Sequence, residues 1–204
     1  MPGASTELWA RESSSNTKTY NTINPFTEEK LRTFELMSEE EAIECVERSH
    51  EAFLNWRGQP IEERAKVLRK FSQLLKDNKA ELAQIMTDEM GKRKVEAEGE
   101  VDKVAGLVEY CAEKGPEFLK DEEKDIDGGK GYISYRPEGV IFGIQPWNFP
   151  LYQAVRYSAA NIVAGNTTVF KHAPNCFGMA CKLEELWKEA GAPEGVFTSL
   201  IIEN

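Results

Sequence analysis

The sequence predicts an α/β fold in which N-terminal helices pack on the first βαβαβ half of a Rossmann-like parallel sheet. Apolar residues at helical spacing dominate the chain as far as about residue 115. An apolar run at 140–144 and a second strand pattern at 167–170 then alternate with helical patterns, and a third strand pattern covers 196–202. Two right-handed crossovers between such strands build half of a doubly wound nucleotide-binding fold.

Composition excludes several classes of function. The chain has 204 residues and a formal net charge of -10, with no cluster of basic and aromatic residues, so nucleic-acid binding is not expected. No run of eighteen apolar residues predicts a membrane span, and residues 1–18 lack the apolar core of a signal peptide. We therefore expect a cytoplasmic protein. Four scattered cysteines and two histidines predict no metal site and no disulfide framework.

The predicted organisation has four parts: a flexible tail (1–20), a helical part (21–126), a strand segment (127–139) and the nucleotide-binding half (140–204). Ser38 and Glu41 predict a capping box that opens the first helix. The second helix is predicted from Pro60 to before Gly91, with a break at residues 77–78, and the third ends at residues 115–116. The first helix is expected to bury one apolar face, made of Ile43, Val46, His50, Phe53 and Leu54.

Residues after 126 predict strands and two further helices. Residues 132–136 alternate as a half-buried strand should, and 140–144 is continuously apolar as in a buried parallel strand. Pro150 predicts the start of a helix that ends at Gly165, and a second helix is closed by Gly191.

Ligands of doubly wound folds bind beyond the carboxyl ends of the strands. Residues 145–150 and 171–174 are expected at that edge, although neither segment contains the GxGxxG fingerprint. Taken by themselves, these residues predict no more than a nucleotide-binding half-domain.

Particular motifs go further. Pro-Trp-Asn-Phe-Pro at 146–150 follows an apolar strand, and Ala-Gly-Asn-Thr-Thr-Val-Phe-Lys covers 164–171. Together with Ile-Asn-Pro at 23–25, Trp56 and Glu-Met-Gly-Lys at 89–92, they resemble the aldehyde dehydrogenase superfamily. The variant Lys-His-Ala-Pro-Asn at 171–175 looks closest to the succinate-semialdehyde dehydrogenase branch. The resemblance covers nearly the whole chain from about residue 20.

The resemblance implies an oxidoreductase that uses NAD or NADP to oxidise a small-molecule aldehyde, in which a cysteine thiolate attacks the carbonyl. It implies that Asn148 donates its side-chain amide to the resulting oxyanion. The alternative is that Asn148 caps the helix opened by Pro150. It also implies that Lys171 reaches the adenosine ribose or a 2′-phosphate, whereas the alternative is a solvated lysine at a strand end.

Further cofactor contacts are implied on both sides of the crevice. Trp147 could equally be ordinary packing, and the resemblance makes His172 a crevice-wall residue rather than a general base. Many NAD-specific relatives carry a glutamate at the position of Pro174, and its replacement makes NADP use possible. The implied cofactor-binding residues are Ile144, Gln145, Pro146, Trp147, Lys171, His172, Ala173 and Pro174.

The resemblance also implies that the general-base glutamate, the nucleophilic cysteine and the second half of the sheet lie beyond residue 204. We therefore expect this polypeptide alone to be inactive, with Cys176 and Cys181 as core thiols. Residues 131–136 resemble the family's oligomerisation strand, so a homo-oligomer or pairing with the missing C-terminal half is expected. The alternatives are a stand-alone nucleotide-binding or interaction module that pairs with another chain, and a scaffold without a ligand.

Overall fold

The computed structural model describes residues 18–203. Seven strands and six α-helices make up this part of the chain. The strands are β1 (Thr19–Ile23), β2 (Lys30–Glu35), β3 (Glu122–Ile126), β4 (Gly129–Ile133), β5 (Val140–Gln145), β6 (Thr167–His172) and β7 (Phe197–Leu200). The helices are α1 (Glu39–Trp56), α2 (Ile61–Asp77), α3 (Lys79–Met90), α4 (Lys94–Phe118), α5 (Pro150–Ala164) and α6 (Phe177–Glu189).

An antiparallel hairpin of β1 and β2 precedes the helices, and the sequence did not predict it. Strand β1 begins at Thr19, just inside the range predicted as a tail, and residues 1–17 of that tail lie outside the described part. The charged strand β2 shows little apolar alternation, which explains why pattern analysis missed it.

Helix α1 begins with the predicted capping box, in which the Ser38 side chain accepts from the Glu41 backbone and Glu41 accepts from the Ser38 backbone. Its predicted apolar face is wrong, because Ile43, Val46 and Leu54 are about half exposed. The buried face consists of Cys45, Ser49, Phe53 and Trp56.

Ser49 explains this rotation of α1. Its hydroxyl donates to the carbonyl of Gly195 at 2.8 Å and lies 3.0 Å from the hydroxyl of Thr167. A small polar side chain whose hydrogen bonds are satisfied therefore lies at the contact between helix and sheet, where apolar periodicity would not place it.

The predicted break at residues 77–78 is confirmed, since α2 ends at Asp77 and α3 begins at Lys79. The predicted end of the third helix is wrong, because α4 continues through Pro116 to Phe118. Proline cannot donate the backbone hydrogen bond that the carbonyl of Ala112 would otherwise accept. The guanidinium of Arg69 reaches that carbonyl at 3.4 Å, which lets the helix run on past the proline.

Strands β3 and β4 form an exposed antiparallel hairpin rather than the half-buried strand predicted at 132–136. Asp127 and Gly128 make the two-residue turn, with Gly128 at φ +83°. Asp-Gly is a strong hairpin signal, but charged residues flank it and hide the apolar alternation that usually accompanies it.

The parallel sheet has the order β5-β6-β7 and confirms the predicted βαβαβ unit. Strand β6 is central and entirely buried. Strand β5 is at the edge, and Phe142 and Ile144 are 54% and 71% exposed, so the prediction that this strand is buried is wrong for the chain by itself. Its apolar residues instead form an open edge.

Helices α5 and α6 are the crossovers that follow β5 and β6, and they share one core with α2 and α4. Gly143 allows α5 to pack closely against β5, since a Cβ atom at this position would lie 2.7 Å from the Tyr157 ring. Phe71 and Trp187 stack at 3.8 Å between ring centroids and join α2 to α6. Within residues 18–203, no helix has the length and apolar character needed to cross a membrane.

Candidate cofactor and oxyanion site

The two segments expected at the carboxyl edge of the sheet lie side by side. In the parallel register of β5 and β6, Gln145 pairs with His172. The backbone of Ala173 continues the ladder by donating to the carbonyl of Gln145 at 3.0 Å. The structure thus brings the loop after β5 and the loop after β6 to one edge, as the sequence predicts.

Asn148 is exposed at this edge. Its Oδ1 accepts from the backbone of Phe149 at 3.1 Å, and its Nδ2 makes no hydrogen bond within the described residues. The N-cap of α5 is Phe149, without a side-chain cap, so the alternative that Asn148 caps this helix is wrong. The amide N–H groups are therefore free to donate to a ligand.

Lys92 and Glu100 hold Asn148 in place. They form a buried ion pair whose side chains are only 9% and 2% exposed. The Lys92 ammonium also donates to the carbonyl of Asn148 at 3.0 Å and lies 4.0 Å from the centre of the Phe149 ring. One cation thereby holds both the backbone carbonyl of Asn148 and the ring of the next residue.

The carboxylate of Glu100 also closes the start of α5. One oxygen accepts from the backbone N–H groups of Leu151 and Tyr152 at 3.1 and 2.9 Å. These groups have no partner inside the helix, and the helix dipole favours a negative charge beside them. The sequence did not single out Glu100 as a site residue. The signal that could have found it is its position four residues before Val104, which places this carboxylate on the buried face of the helix.

Lys171 is only 8% exposed, so the alternative of a solvated strand-end lysine is wrong. Its ammonium donates to the carbonyl of His172 at 3.3 Å, and burial lowers the pKa of the lysine. A partly desolvated cation at the end of β6 gains from an anionic ligand, because water screens its charge less.

The imidazole of His172 is fully buried and has a structural role in this chain. Its Nδ1 accepts from the backbone of Ala173 at 2.8 Å, so Nε2 carries the hydrogen and donates to the carbonyl of Pro150 at 3.0 Å. Burial lowers the pKa of this ring to about 4. The neutral ring ties the end of β6 to the start of α5, and a ligand at this edge could meet only the backbone of His172.

The remaining predicted contacts are open to solvent. Trp147 is 55% exposed, so its indole is not core packing in this chain. Ala173 and Pro174 are half-buried at the facing side of the edge, and Pro174 begins a single 3-10 turn. Backbone and ring surfaces of both loops are therefore available to a flat ligand.

Glu89 caps the N-terminus of α6 in the way that Glu100 caps the N-terminus of α5. Its two oxygens accept from the backbones of Gly178 and Met179 at 2.7 and 3.0 Å. Burial raises the pKa of this carboxyl to about 7, although both hydrogen bonds favour the ionised form. The N-termini of both crossover helices are thus occupied by side chains of this chain.

Glu89 makes the stability depend on pH. Since its pKa is raised from 4.5 to about 7 on folding, the folded state holds the proton more tightly, and the free energy of unfolding falls as pH rises between these values. The expected loss is up to about 3 kcal/mol. Glu89→Gln cannot ionise, so its free energy of unfolding lacks this dependence on pH. Urea unfolding of both proteins at pH 5, 6, 7 and 8 should therefore show the stability of the variant rising relative to that of the wild type up to pH 7.

The difference between the two proteins isolates this carboxyl, because the other titrating groups are common to both. Glutamine also loses one of the two backbone bonds, which adds a deficit that does not vary with pH. The exposed Glu63→Gln serves as the control. A difference that stays constant across the four pH values would refute the prediction.

The two cysteines of the nucleotide-binding half are core thiols. Cys176 is fully buried, and burial raises its pKa strongly. Burial also raises the pKa of Cys181 to about 12. Neither thiol is in the thiolate form that a nucleophile needs at neutral pH.

The fold and this edge define the class of protein. Residues 9–204 match the model of the aldehyde dehydrogenase family. The chain belongs to this family, and the resemblance drawn from its motifs is confirmed.

Particular relatives show which members are similar. The chain is 39% identical over 183 residues to a succinate-semialdehyde dehydrogenase [NADP(+)] of Deinococcus radiodurans, covering 90% of this chain and 38% of that protein. It is 38% identical to succinate semialdehyde dehydrogenase [NAD(P)+] of Escherichia coli, covering 89% and 39%.

A solved structure agrees in fold as well as in sequence. Succinic semialdehyde dehydrogenase from Streptococcus pyogenes, in complex with NADP+, superposes with a TM-score of 0.87 at 40% identity, covering 90% of this chain and 41% of that one. The chain therefore spans about two fifths of the length of the relatives that it matches.

Proposed function

We propose that the chain is the cofactor-side part of an aldehyde dehydrogenase that oxidises succinate semialdehyde to its carboxylate with NADP. The observation that carries this proposal is that the unbonded amide nitrogen of Asn148 and the desolvated ammonium of Lys171 lie at one edge, the first in the loop after β5 and the second near the end of the adjacent strand β6. An oxyanion donor and a phosphate-binding cation at one edge are what such a reaction requires.

Asn148 acts on the substrate side of the site. Its Nδ2 donates to the carbonyl oxygen as negative charge develops there, and the pair of Lys92 and Glu100 keeps the amide in position before the reaction begins. When bound at this edge, NADP would supply the hydride acceptor for the oxidation, while the residues of this chain hold the carbonyl oxygen and the cofactor in place.

Lys171 acts on the adenosine side. The edge beside it fits a 2′-phosphate, since Pro174 stands where NAD-specific relatives are expected to carry a glutamate and so brings no repelling carboxylate. The pyrophosphate would lie away from the starts of α5 and α6, because Glu100 and Glu89 already accept the N–H groups that a Rossmann fold offers to phosphate.

The complete reaction would need groups that this chain does not supply. Cys45 and Cys176 are buried, and burial raises the pKa of Cys111 and Cys181, so the thiolate would come from the remaining three fifths that the relatives possess. We infer that this chain alone does not oxidise aldehydes. A steady NADPH signal from the purified chain with succinate semialdehyde would contradict that inference.

Association with further protein is part of the proposal. The β3–β4 hairpin exposes Ile126 and Tyr132 by 58% and 63%, and β5 leaves an open edge with Phe142 and Ile144 exposed in the described part of the chain. Unpaired parallel edges and exposed apolar side chains favour pairing with another strand. The hairpin would join subunits, and the β5 edge would take the next strand of the complete sheet.

A second candidate is a stand-alone nucleotide-binding module. The observation that favours it is the shared core of α2, α4, α5 and α6, which closes around the half-sheet without the remaining part. This candidate predicts that the isolated chain binds NADP.

Cofactor binding tests both candidates. NADP and NAD would be titrated by calorimetry into the chain alone and into a fused enzyme in which it replaces the matching part of the Escherichia coli relative. We expect the fused enzyme to favour NADP and Lys171→Ala to weaken NADP at least tenfold more than NAD, because the lysine meets the extra phosphate. Lys94→Ala, an exposed lysine, is the control.

Each outcome distinguishes the candidates. Binding by the chain alone supports the stand-alone module, and binding by the fused enzyme only supports the enzyme part. Equal affinity of the fused enzyme for both cofactors, or equal effects of Lys171→Ala on them, would contradict the assignment of NADP.

A further inference from the structure

A second cleft, far from the Asn148 edge, lies between the start of α2, the end of α4 and the segment that leads from the β3–β4 hairpin into β5. Its volume is about 640 Å³, within the range of small-ligand sites. Four cationic side chains line it: Arg57, Arg64, Lys120 and Arg136. No aspartate or glutamate is among the described residues that line it.

Arg64 is the innermost of these cations and is only 8% exposed. Its Nε donates to the carbonyl of Val163 at 2.9 Å, and its Nη1 donates to the carbonyl of Gln59. Its Nη2 makes no hydrogen bond within the described residues and is not among the buried unsatisfied atoms, so it reaches solvent in the cleft. Carbonyl oxygens orient this guanidinium but do not neutralise its charge.

The other three cations also lack a carboxylate partner within residues 18–203. Arg57 lies over the Phe53 ring at 5.4 Å. The hydroxyl of Tyr135, beside Arg136, donates to Glu122 at 3.0 Å, and that carboxylate also pairs with Lys124.

Buried or clustered charges are normally paired in folded proteins, because repulsion and desolvation disfavour them otherwise. This protein has a net charge of -10, and several of its exposed lysines elsewhere form pairs, such as Lys66 with Glu63. Four cations around one cleft, none paired with a carboxylate of the described residues, therefore indicate that the counter-charge comes from a ligand.

We propose that this cleft binds a phosphate dianion, either free or as the monoester of a small molecule. Guanidinium groups present N–H donors in a fork that matches phosphate oxygens, and three of the four cations are arginines. Arg136 belongs to the segment that joins the hairpin to β5, so a bound phosphate fixes the base of that hairpin.

Calorimetry of the full chain with inorganic phosphate tests this proposal. Phosphate is titrated against a chloride solution of equal ionic strength, and succinate is titrated as a dicarboxylate. We expect one saturable phosphate site, weakened at least tenfold by Arg136→Gln or by Arg57→Gln. Lys94→Gln removes an exposed cation about 33 Å away along α4 and should leave binding unchanged.

Three results would overturn the proposal: no phosphate heat beyond that of chloride, succinate binding as tight as phosphate binding, or equal weakening by Lys94→Gln. Lys171→Ala shows at which of the two sites phosphate binds. If the affinity for phosphate falls in this variant, the phosphate binds at the proposed cofactor edge instead of this cleft. Arg64 stays unchanged throughout because it also donates to the carbonyl of Val163 in the last turn of α5.

Discussion

Replacing Asn148 with alanine will lower kcat of an enzyme that contains this chain by about 10²–10³, or roughly 3–4 kcal/mol of transition-state stabilisation. Its Nδ2 is exposed and unbonded within the described residues, so the substitution removes a donor without breaking a hydrogen bond of that nitrogen. Steady-state kinetics of the fused enzyme with succinate semialdehyde would measure the loss. KM should change little, because the interaction strengthens only as charge develops on the oxygen.

The fold should survive this substitution. Lys92 binds the backbone carbonyl of Asn148 rather than its side chain, and that contact is retained in alanine. Asn55→Ala on the exposed surface of α1 is the matched control, since its amide bonds only to a carbonyl one turn away. A fall in kcat of less than tenfold, with the thermal midpoint unchanged, would refute the oxyanion role.

Glu100→Ala will destabilise the fold by about 3–5 kcal/mol, because it leaves the Lys92 charge buried without its partner. It also removes the acceptor of two backbone N–H groups at the start of α5. Urea unfolding monitored by circular dichroism would measure the loss.

Two further variants separate the contribution of the Glu100 charge from that of its hydrogen bonds to the start of α5. Glu100→Gln keeps an acceptor for α5 but not the charge, so it should lose less than alanine. The double variant Lys92→Met and Glu100→Gln removes both charges and should recover much of the loss. The exposed pair of Lys66 and Glu63 is the control, where Glu63→Ala should cost less than about 1 kcal/mol. A similar cost at Glu100 and at Glu63 would contradict the prediction.

Much of the site could be predicted from the sequence because its signals are local. Residues 146–150 and 164–171 carry both the strand ends and the motifs of the family, so the sequence alone places Asn148 and Lys171 at one edge. The support of that edge could not be predicted. Lys92 meets the carbonyl of Asn148 across 56 positions of sequence, and Glu100 meets α5 across about 50.

Burial was the property least accessible to pattern analysis. Lys171 and His172 are polar residues at a strand end, and the structure buries both because β6 is the central strand with neighbours on both sides. Phe142 and Ile144 are apolar and exposed because they point to the face of β5 opposite to the one where Gly143 meets Tyr157 of α5. Packing against neighbouring elements, rather than side-chain polarity, decided these four environments.

The sequence by itself determined the order of strands and helices from β5 onward, the capping box of α1, the glycine end of α5 and the family to which the chain belongs. Each depends on residues near one another in the chain, whose backbone preferences act over one or two turns. Only the tertiary structure decided which face of α1 is buried, which strand is the edge and which carboxylates close α5 and α6. These features depend on contacts between distant segments, where packing and desolvation outweigh local preference.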